Sequence, residues 1–300
     1  LSVVVTLAKQ VSLACHRLAA AGLDEHDARF DAEVLARHAL GWNRAAYLTR
    51  CPEPVPSAFG AHYSLLVERR CQREPVAQII GFREFWGLEI KVSRDVLIPR
   101  PETELLVETA LGLLKDKTAE WRIAEVGTGS GCLAIALAME FPQAVISATE
   151  ISPPALGVAQ RNAVAHNVAT RVSFHLTSFL DGLTGPYDLI VSNPPYIPDR
   201  DLATLAPEIS LYEPVTALAG GPDGLDPARK LVPAAASRLK AGGWLIMEIG
   251  ASQSEAINGI ALHSGISLIK VCPDLQKVSR VAVMRHESTT NPSRTFQPAS

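Results

Sequence analysis

Several features that define common protein classes are missing from the sequence. It has five cysteines among 300 residues, and no two of them stand at a C-x-x-C spacing. A scattered, odd set of this kind is typical of reduced thiols and argues against a disulfide framework or a zinc site. The eight histidines form no cluster either. We therefore predict no metal site, and we assign no histidine as a general base.

The sequence also has no excess of positive charge. Its 28 lysines and arginines are balanced by 31 aspartates and glutamates, which gives a net charge of −3 at pH 7. A protein that mainly coats nucleic acid usually carries a basic domain or stripe. We therefore expect no direct binding to nucleic acid.

Long apolar runs are absent as well. A membrane-spanning helix needs roughly 18 or more consecutive apolar residues, and polar residues from Lys9 to Arg17 interrupt the apolar opening of the chain. No basic segment precedes this opening, as a secretory signal peptide would require. We therefore expect a cytoplasmic protein with no membrane contact, and we expect it to be a monomer.

Residues 1–75 are predicted to form a helical domain. The stretch LAKQVSLACHRLAAAG keeps apolar residues at helical spacing and ends at Gly22, a residue type that favours helix ends. A second stretch, 24–41, has acidic residues in its first turn and ends on glycine. A third stretch, 57–74, stops before a proline. No strand pattern occurs in this region.

Residues 76–100 are predicted to form a β-hairpin that links this domain to the rest of the chain. Apolar and polar residues alternate over 88–92, and Gly87 is the expected turn. Pro101 follows and is predicted to begin a helix, because proline is favoured in the first helical turn and acidic residues come directly after it.

Short apolar strands alternate with helices over residues 101–286. The predicted strands are 122–127, 145–150, 171–176, 187–192, 243–249, 266–272 and 279–285. The predicted helices between them are 131–140, 153–167, 225–240 and 252–264. This alternation favours an α/β fold with a doubly wound, mostly parallel, seven-stranded Rossmann-like sheet. The last two strands lack a helix between them and should be antiparallel, and the polar tail 287–300 is expected to be disordered.

Three glycines separate the first predicted strand from its helix. They are Gly127, Gly129 and Gly131 in the stretch EVGTGSG. Ligands of open α/β sheets bind beyond the carboxyl ends of the strands, and glycines let the backbone approach them closely. A dinucleotide fingerprint would need a further glycine at position 132, which is Cys132. The spacing is therefore not that of a dinucleotide site.

An acid accompanies the glycines on each of the first two strands. Glu125 precedes them, and Glu150 ends the next strand, where a carboxylate can accept hydrogen bonds from ribose hydroxyls. A glycine-rich turn alone can also serve packing. With both acids, the pattern resembles the first motif of S-adenosylmethionine-dependent methyltransferases. The residues expected to bind this cofactor are Glu125, Gly127, Thr128, Gly129, Ser130, Gly131 and Glu150, with contributions from Phe179 and Asn193.

The fourth strand ends in a second motif, Asn193-Pro194-Pro195-Tyr196. Two prolines cannot continue a hydrogen-bonded ladder and hold the backbone in a fixed shape. In a doubly wound sheet the fourth strand lies beside the first, so Asn193 should emerge next to the glycine loop. The alternative is a stiff loop capped by an asparagine, which would make this adjacency a coincidence.

This motif can hold a planar amino group for methyl transfer. The lone pair of such a group is delocalised, so it is a poor nucleophile. The side-chain carbonyl of Asn193 and the main-chain carbonyl of Pro194 can accept its two N–H bonds, while Tyr196 offers a face for stacking. The carbonyls would also stabilise the positive charge that develops on nitrogen in the transition state. Methyl transfer is an in-line displacement that gains most from such positioning.

The motif resembles the [D/N]-P-P-[Y/F] signature of methyltransferases that act on adenine, guanine or glutamine nitrogen. A closer resemblance covers residues 76–285 and includes the segments REFWGLEIKVSRDVLIPRPETELLVE, YEPVTALAGGPDGL and LKAGGWLIMEIG. On these the chain is similar to the protein-(glutamine-N5) methyltransferases, and most to the release-factor-specific HemK/PrmC family. The resemblance implies S-adenosylmethionine as cofactor and class 1 peptide chain release factors as substrate, methylated at the glutamine of their Gly-Gly-Gln motif.

The resemblance also implies roles for individual residues. The glycine loop would hold the methionine end of the cofactor and Glu150, in place of the commoner aspartate, its ribose. The segment from Asn193 to Tyr196 would hold the glutamine amide, and Arg100 would contact the substrate or form an ion pair. The helical domain would recognise the release factor.

One motif departs from the family pattern. Family members usually carry Asp-Trp after the third strand, beside the adenine, where this chain has Ser178-Phe179. Phe179 can still stack on the base, but the acidic contact is lost. We also expect Phe85 or Trp86 near the cofactor cleft, with the hairpin core as the alternative.

Three other functions stay open at this point. A nucleic-acid methyltransferase would use the same clamp on an exocyclic amine, although such enzymes usually add basic surface. A related enzyme could methylate glutamine of a ribosomal protein. A binding module could keep the fold without catalysis, although the intact glycines, ribose acid and clamp argue against it.

Overall fold

The computed structural model describes residues 6–287, so most of the predicted tail lies outside the described residues. The chain divides into two compact units. The first, the helical unit, contains residues up to 82 together with 205–213, and the second, the sheet unit, contains 83–204 and the residues from 214 onward. No helix within the described range is long and apolar enough to cross a membrane.

Five helices form the chain up to residue 80: α1 (Leu7–Ala20), α2 (Glu25–Leu40), α3 (Arg44–Arg50), α4 (Phe59–Cys71) and α5 (Val76–Ile80). Polar caps explain several of their starts. The side chain of Asp24 accepts hydrogen bonds from the backbone of α2, and Asn43 does the same for α3. Gly41 ends α2 in the left-handed conformation. The sequence analysis missed α3 and wrongly placed residues 76–80 in the hairpin. These helices have seven and five residues, too few for apolar residues to repeat visibly at helical spacing.

The segment 205–213 packs on α4 and α5 although it follows the fourth strand of the main sheet by sequence. The carboxylate of Glu208, in the one-turn helix Pro207–Ser210, accepts hydrogen bonds from Arg70 at 3.0 Å and Arg73 at 2.8 Å. The amide of Gln78 donates to the main-chain oxygen of Tyr212 at 2.9 Å. These partly buried charge pairs hold the segment in place, because a partner left unpaired would be costly.

The predicted hairpin is confirmed over a shorter range. It consists of β1 (Phe82–Phe85) and β2 (Leu88–Lys91), and the turn contains Trp86 and Gly87, both at positive φ.

The main sheet has seven strands: β3 (Arg122–Val126), β4 (Val145–Glu150), β5 (Val172–Leu176), β6 (Tyr187–Ser192), β7 (Leu239–Glu248), β8 (Ile266–Pro273) and β9 (Ser279–His286). Their order is β5-β4-β3-β6-β7-β9-β8. The first five are parallel, and β9 is antiparallel to both β7 and β8. The prediction of a doubly wound, mostly parallel sheet of seven strands with an antiparallel end is confirmed.

Helices cover both faces of this sheet: α6 (Glu104–Leu113), α7 (Cys132–Glu140), α8 (Pro153–Ala165), α9 (Asp226–Ala236) and α10 (Ser254–His263). Successive strand residues point to opposite faces, so Ile123 packs with α6, α7 and the hairpin while Ala124 packs with α9. Helix α9 ends earlier than predicted, since β7 already begins at Leu239.

The strand order decides where a ligand can bind. β3 lies between β4 and β6, and Val126 is in register with both Thr149 and Ser192. The chain segments that follow these three strands therefore leave the sheet side by side. This is the point where the strand order reverses, the usual ligand site of a doubly wound sheet.

Candidate active site

A cavity lies at the carboxyl ends of β3, β4 and β6 and is lined by residues of the sheet unit. It brings together most of the residues predicted from sequence: Arg100, Glu125, Gly127, Thr128, Gly129, Ser130, Glu150, Phe179, Asn193, Pro194 and Pro195. Gly131 and Tyr196 do not line it. The glycine loop and the Asn-Pro-Pro segment thus face the same space, as the order of the strands requires.

Gly127 and Gly129 give the loop an open wall. Their φ angles are +73° and +55°, a region that other residues adopt only with strain. A Cβ atom at either position would meet no protein atom within 4 Å. The space beside the loop is therefore available to a ligand that approaches the backbone.

Gly131 serves packing instead. A Cβ there would lie 3.0 Å from that of Ala159, so the glycine lets α7 approach α8. Nearby, the buried side chain of Asn162 donates to the main-chain oxygens of Ser130 at 2.8 Å and Lys91 at 2.9 Å, and it accepts from the Lys91 N–H. Asn162 therefore ties the glycine loop to β2, a role that its place inside α8 does not reveal from sequence.

Glu150 is fixed by backbone hydrogen bonds at the edge of the cavity. One carboxylate oxygen accepts the N–H of Gly129 at 2.9 Å, and the other accepts those of Ile151 and Ser152 at 2.8 and 3.0 Å. Each carboxylate oxygen has two lone pairs, so the oxygen that accepts from Gly129 can still accept one hydrogen bond from a ligand hydroxyl. Glu150 also holds the loops after β3 and β4 together.

Glu125 lies beneath the glycine loop. Burial raises the pKa of its carboxyl group to about 8, because the ionised form loses its hydration there. The hydroxyl of Thr128 donates to this carboxyl group and lowers the pKa in turn. Glu125 therefore stabilises the loop from below as well as lining the cavity.

The Asn-Pro-Pro-Tyr segment is anchored by two buried residues that sequence reasoning missed. The amide nitrogen of Asn193 donates to the hydroxyl oxygen of Thr103 at 3.0 Å, and the Thr103 hydroxyl donates to Glu248 at 2.8 Å. The hydroxyl of Tyr196 donates to the other oxygen of Glu248 at 3.1 Å. Burial raises the pKa of both Tyr196 and Glu248. In the sequence, the one sign of these two residues is the glutamate that ends the otherwise apolar strand GWLIME.

The aromatic residues divide between the cavity and the core. Phe179 and Ser178 both line the cavity. The expectation for Phe85 and Trp86 is wrong: Phe85 is buried in the core of the sheet unit, and the indole of Trp86 donates to Glu140 at 2.9 Å. Neither residue lines the cavity, because the hairpin packs on the core of the sheet unit.

Comparisons with known proteins agree with this architecture. The family described as PrmC N-terminal domain matches residues 11–81, and the one described as Methyltransferase small domain matches residues 101–209. A release factor glutamine methyltransferase of Cereibacter sphaeroides is 42% identical over 90% of this chain and 94% of its own length. The chain belongs to the release factor glutamine methyltransferase family. A family member from Geobacter sulfurreducens is 42% identical over 85% of this chain and 88% of its own.

The comparison with solved structures reaches more distant proteins. A methyltransferase from Pyrococcus furiosus has 19% identity and a TM-score of 0.50, over 73% of this chain and 97% of that one. At this identity the likeness shows the fold alone.

Release factor glutamine methyltransferases use S-adenosylmethionine, as the sequence predicted. The cavity fits this cofactor. Gly127 and Gly129 leave room for a close approach to the backbone, Glu150 presents a carboxylate at the end of β4, and Phe179 contributes an aromatic side chain.

Proposed function

We propose that this protein transfers a methyl group from S-adenosylmethionine to the side-chain amide nitrogen, N5, of the glutamine in the Gly-Gly-Gln motif of class 1 peptide chain release factors. One observation carries the proposal: the glycine loop and the Asn193-Pro194-Pro195 segment line the same cavity. The membership of the chain in the release factor glutamine methyltransferase family supports the identity of the acceptor.

Asn193 and Pro194 are proposed to clamp the acceptor amide. The nitrogen of Asn193 is engaged by Thr103, so its carbonyl oxygen is the atom it can offer to a substrate. Together with the main-chain oxygen of Pro194, it would accept the two N–H bonds of the glutamine. Because the amide nitrogen gains positive charge during the reaction, both hydrogen bonds strengthen in the transition state.

The cofactor is proposed to lie between the glycine loop and Glu150, with Glu125 and Thr128 supporting the loop. When bound, S-adenosylmethionine supplies an electrophilic methyl group. Phe179 would pack on its base, and Pro195 would keep the acceptor clamp in a fixed position beside it. Arg100, which lines the same cavity, is proposed to contact the substrate.

Methyl transfer from tritiated S-adenosylmethionine tests this function directly. We expect label on a purified class 1 release factor and none on its Gly-Gly-Ala variant, because alanine has no amide nitrogen. Bare DNA and RNA and a ribosomal protein fraction are run beside them. Label that appears only on nucleic acid or on a ribosomal protein would keep the clamp chemistry and overturn the proposed substrate.

The helical unit is proposed to recognise the release factor outside its Gly-Gly-Gln loop. A separate family match over 11–81 supports a distinct role for this region. We expect deletion of residues 1–75 to raise KM for intact release factor by about tenfold or more, the effect of losing part of a protein interface. The deletion also removes the partners of Glu208, so turnover of a short Gly-Gly-Gln peptide is the control. Equal effects on factor and peptide would contradict a recognition role.

A further inference from the structure

A row of three hydrogen-bonded polar side chains ends at the wall of the cavity, which its last two members line. It begins at Glu248, the last residue of β7, continues through Thr103 and ends at Asn193, with contacts of 2.8 and 3.0 Å. Thr103 is 4% exposed and Glu248 is 2% exposed, so water does not complete these hydrogen bonds. Sequence separations of 145 and 90 residues join the three side chains only in the folded chain.

The chemistry of the row fixes the direction of each hydrogen bond. An ionised carboxylate can only accept, and a threonine hydroxyl has one proton to give. While Glu248 is ionised, the Thr103 proton is committed to it, and the Thr103 oxygen can only accept from its other neighbour. It selects the NH2 end of the Asn193 amide, and the C=O end is left for the cavity.

We propose that Thr103 and Glu248 are positioning residues that hold the Asn193 amide in the one orientation that can accept a hydrogen bond from the substrate. The inference rests on the proposed function and deepens it. If the Asn193 amide were rotated by 180°, its NH2 group would face the NH2 group of the acceptor, and two hydrogen-bond donors would face each other. A buried polar group left without a partner is costly, so the row selects acceptors that carry an NH2 group over those that carry a carboxylate.

Glu248 also fixes the other end of the motif. Its second oxygen accepts the hydroxyl of Tyr196 at 3.1 Å, and the side-chain amide of Gln253 donates to the main-chain oxygen of Tyr196 at 3.1 Å. One carboxylate therefore holds the first and last residues of Asn-Pro-Pro-Tyr. This explains why Tyr196 stands behind the cavity instead of lining it.

Protonation of Glu248 should release this control. Burial raises the pKa of Glu248 and the charge of Glu102 adds to this, while the hydrogen bonds from Thr103 and Tyr196 and the charge of Arg280 lower it. A protonated Glu248 could donate to Thr103, and the direction of the row would no longer be fixed. The orientation is therefore complete above the pKa of Glu248 and is lost as pH falls through it.

Two substitutions at Thr103 separate positioning from packing. Thr103→Val removes the hydroxyl at nearly constant volume, and Thr103→Ser keeps it. We expect Thr103→Val to lower kcat about tenfold, the equivalent of about 1.4 kcal/mol, with KM for the peptide and Kd for S-adenosylmethionine little changed. Thr103→Ser should stay close to wild type. Thr109→Val, a buried threonine of α6 outside the cavity lining, is the matched control and should retain full activity.

Two further measurements should change if Thr103 and Glu248 orient the Asn193 amide, and should not change if they only support the fold. In Glu248→Gln the fall of kcat on the acid side of the pH profile should disappear, because this residue no longer titrates. Solvent exchange of the Asn193 side-chain amide protons, followed by NMR, should be faster in Thr103→Val than in Thr103→Ser.

The outcomes separate this inference from the proposed function. Wild-type protein that labels no release factor overturns the function, and the Thr103 pair is then compared on whichever acceptor is labelled. Active wild type with equal kcat in Thr103→Val and Thr103→Ser overturns the positioning role alone. A loss of kcat in Thr103→Val that matches a loss of cofactor affinity, or of folded protein, would overturn it as well.

Discussion

Asn193→Ala is expected to lower turnover about 10²–10³-fold, the usual cost of removing one hydrogen-bond group that acts on the transition state. The alanine cannot accept the N–H of the glutamine amide, and it also leaves the Thr103 oxygen without its donor. Since the lost contact strengthens as nitrogen gains charge, kcat should fall far more than peptide affinity. Single-turnover methyl transfer to a Gly-Gly-Gln peptide measures this.

Cofactor binding provides the internal control for that variant. Kd for S-adenosylmethionine, measured by calorimetry, should stay within a few fold of wild type, because the glycine loop and Glu150 are unchanged. Asn258→Ala, an exposed asparagine on α10, is the matched control for the substitution itself. Turnover that is equal in Asn193→Ala and Asn258→Ala would refute the clamp.

Glu150→Ala should weaken S-adenosylmethionine binding by about 10²-fold or more. A hydrogen bond to a charged group is worth about 1.5–3 kcal/mol, and the carboxylate is proposed to accept one from a ribose hydroxyl. The substitution also leaves the N–H groups of Gly129, Ile151 and Ser152 without their acceptor, which loosens the loop that lines the cavity. Calorimetry with the cofactor measures the change.

The conservative variant distinguishes the carboxylate from the space it fills. Glu150→Asp keeps the charge on a shorter side chain, and its Kd for S-adenosylmethionine should rise by less than about tenfold. A thermal unfolding curve of each variant shows how much of the effect is a loss of the fold. Affinity for the cofactor that does not change in Glu150→Ala would remove this residue from the binding site.

Sequence patterns predicted the parts of the molecule that depend on local rules. Apolar strands that alternate with helices favour a parallel, doubly wound sheet, and in this sheet the end of β3 lies beside the end of β6. The position of the glycine loop next to Asn193 follows from this order, before any side chain is placed. The family resemblance then supplied the cofactor.

The missing parts depend on contacts between distant residues. Thr103 and Glu248 meet across 145 residues, and neither has a spacing that marks it. The segment 205–213 belongs to the helical unit because Arg70 and Arg73 pair with Glu208, which no local pattern indicates. Gly131 looks like the other loop glycines in sequence, but Ala159 decides that it serves packing.

The Asn162 side chain has a consequence for how the chain can be divided. It joins the glycine loop to β2, and Phe85 and Ile90 of the hairpin complete the core under α6 and α7. The hairpin is thus a structural part of the sheet unit, which contains the cavity, and does more than link it to the helical unit. A piece of chain that begins near residue 83 therefore keeps β2 and Phe85, whereas one that begins at Pro101 loses both.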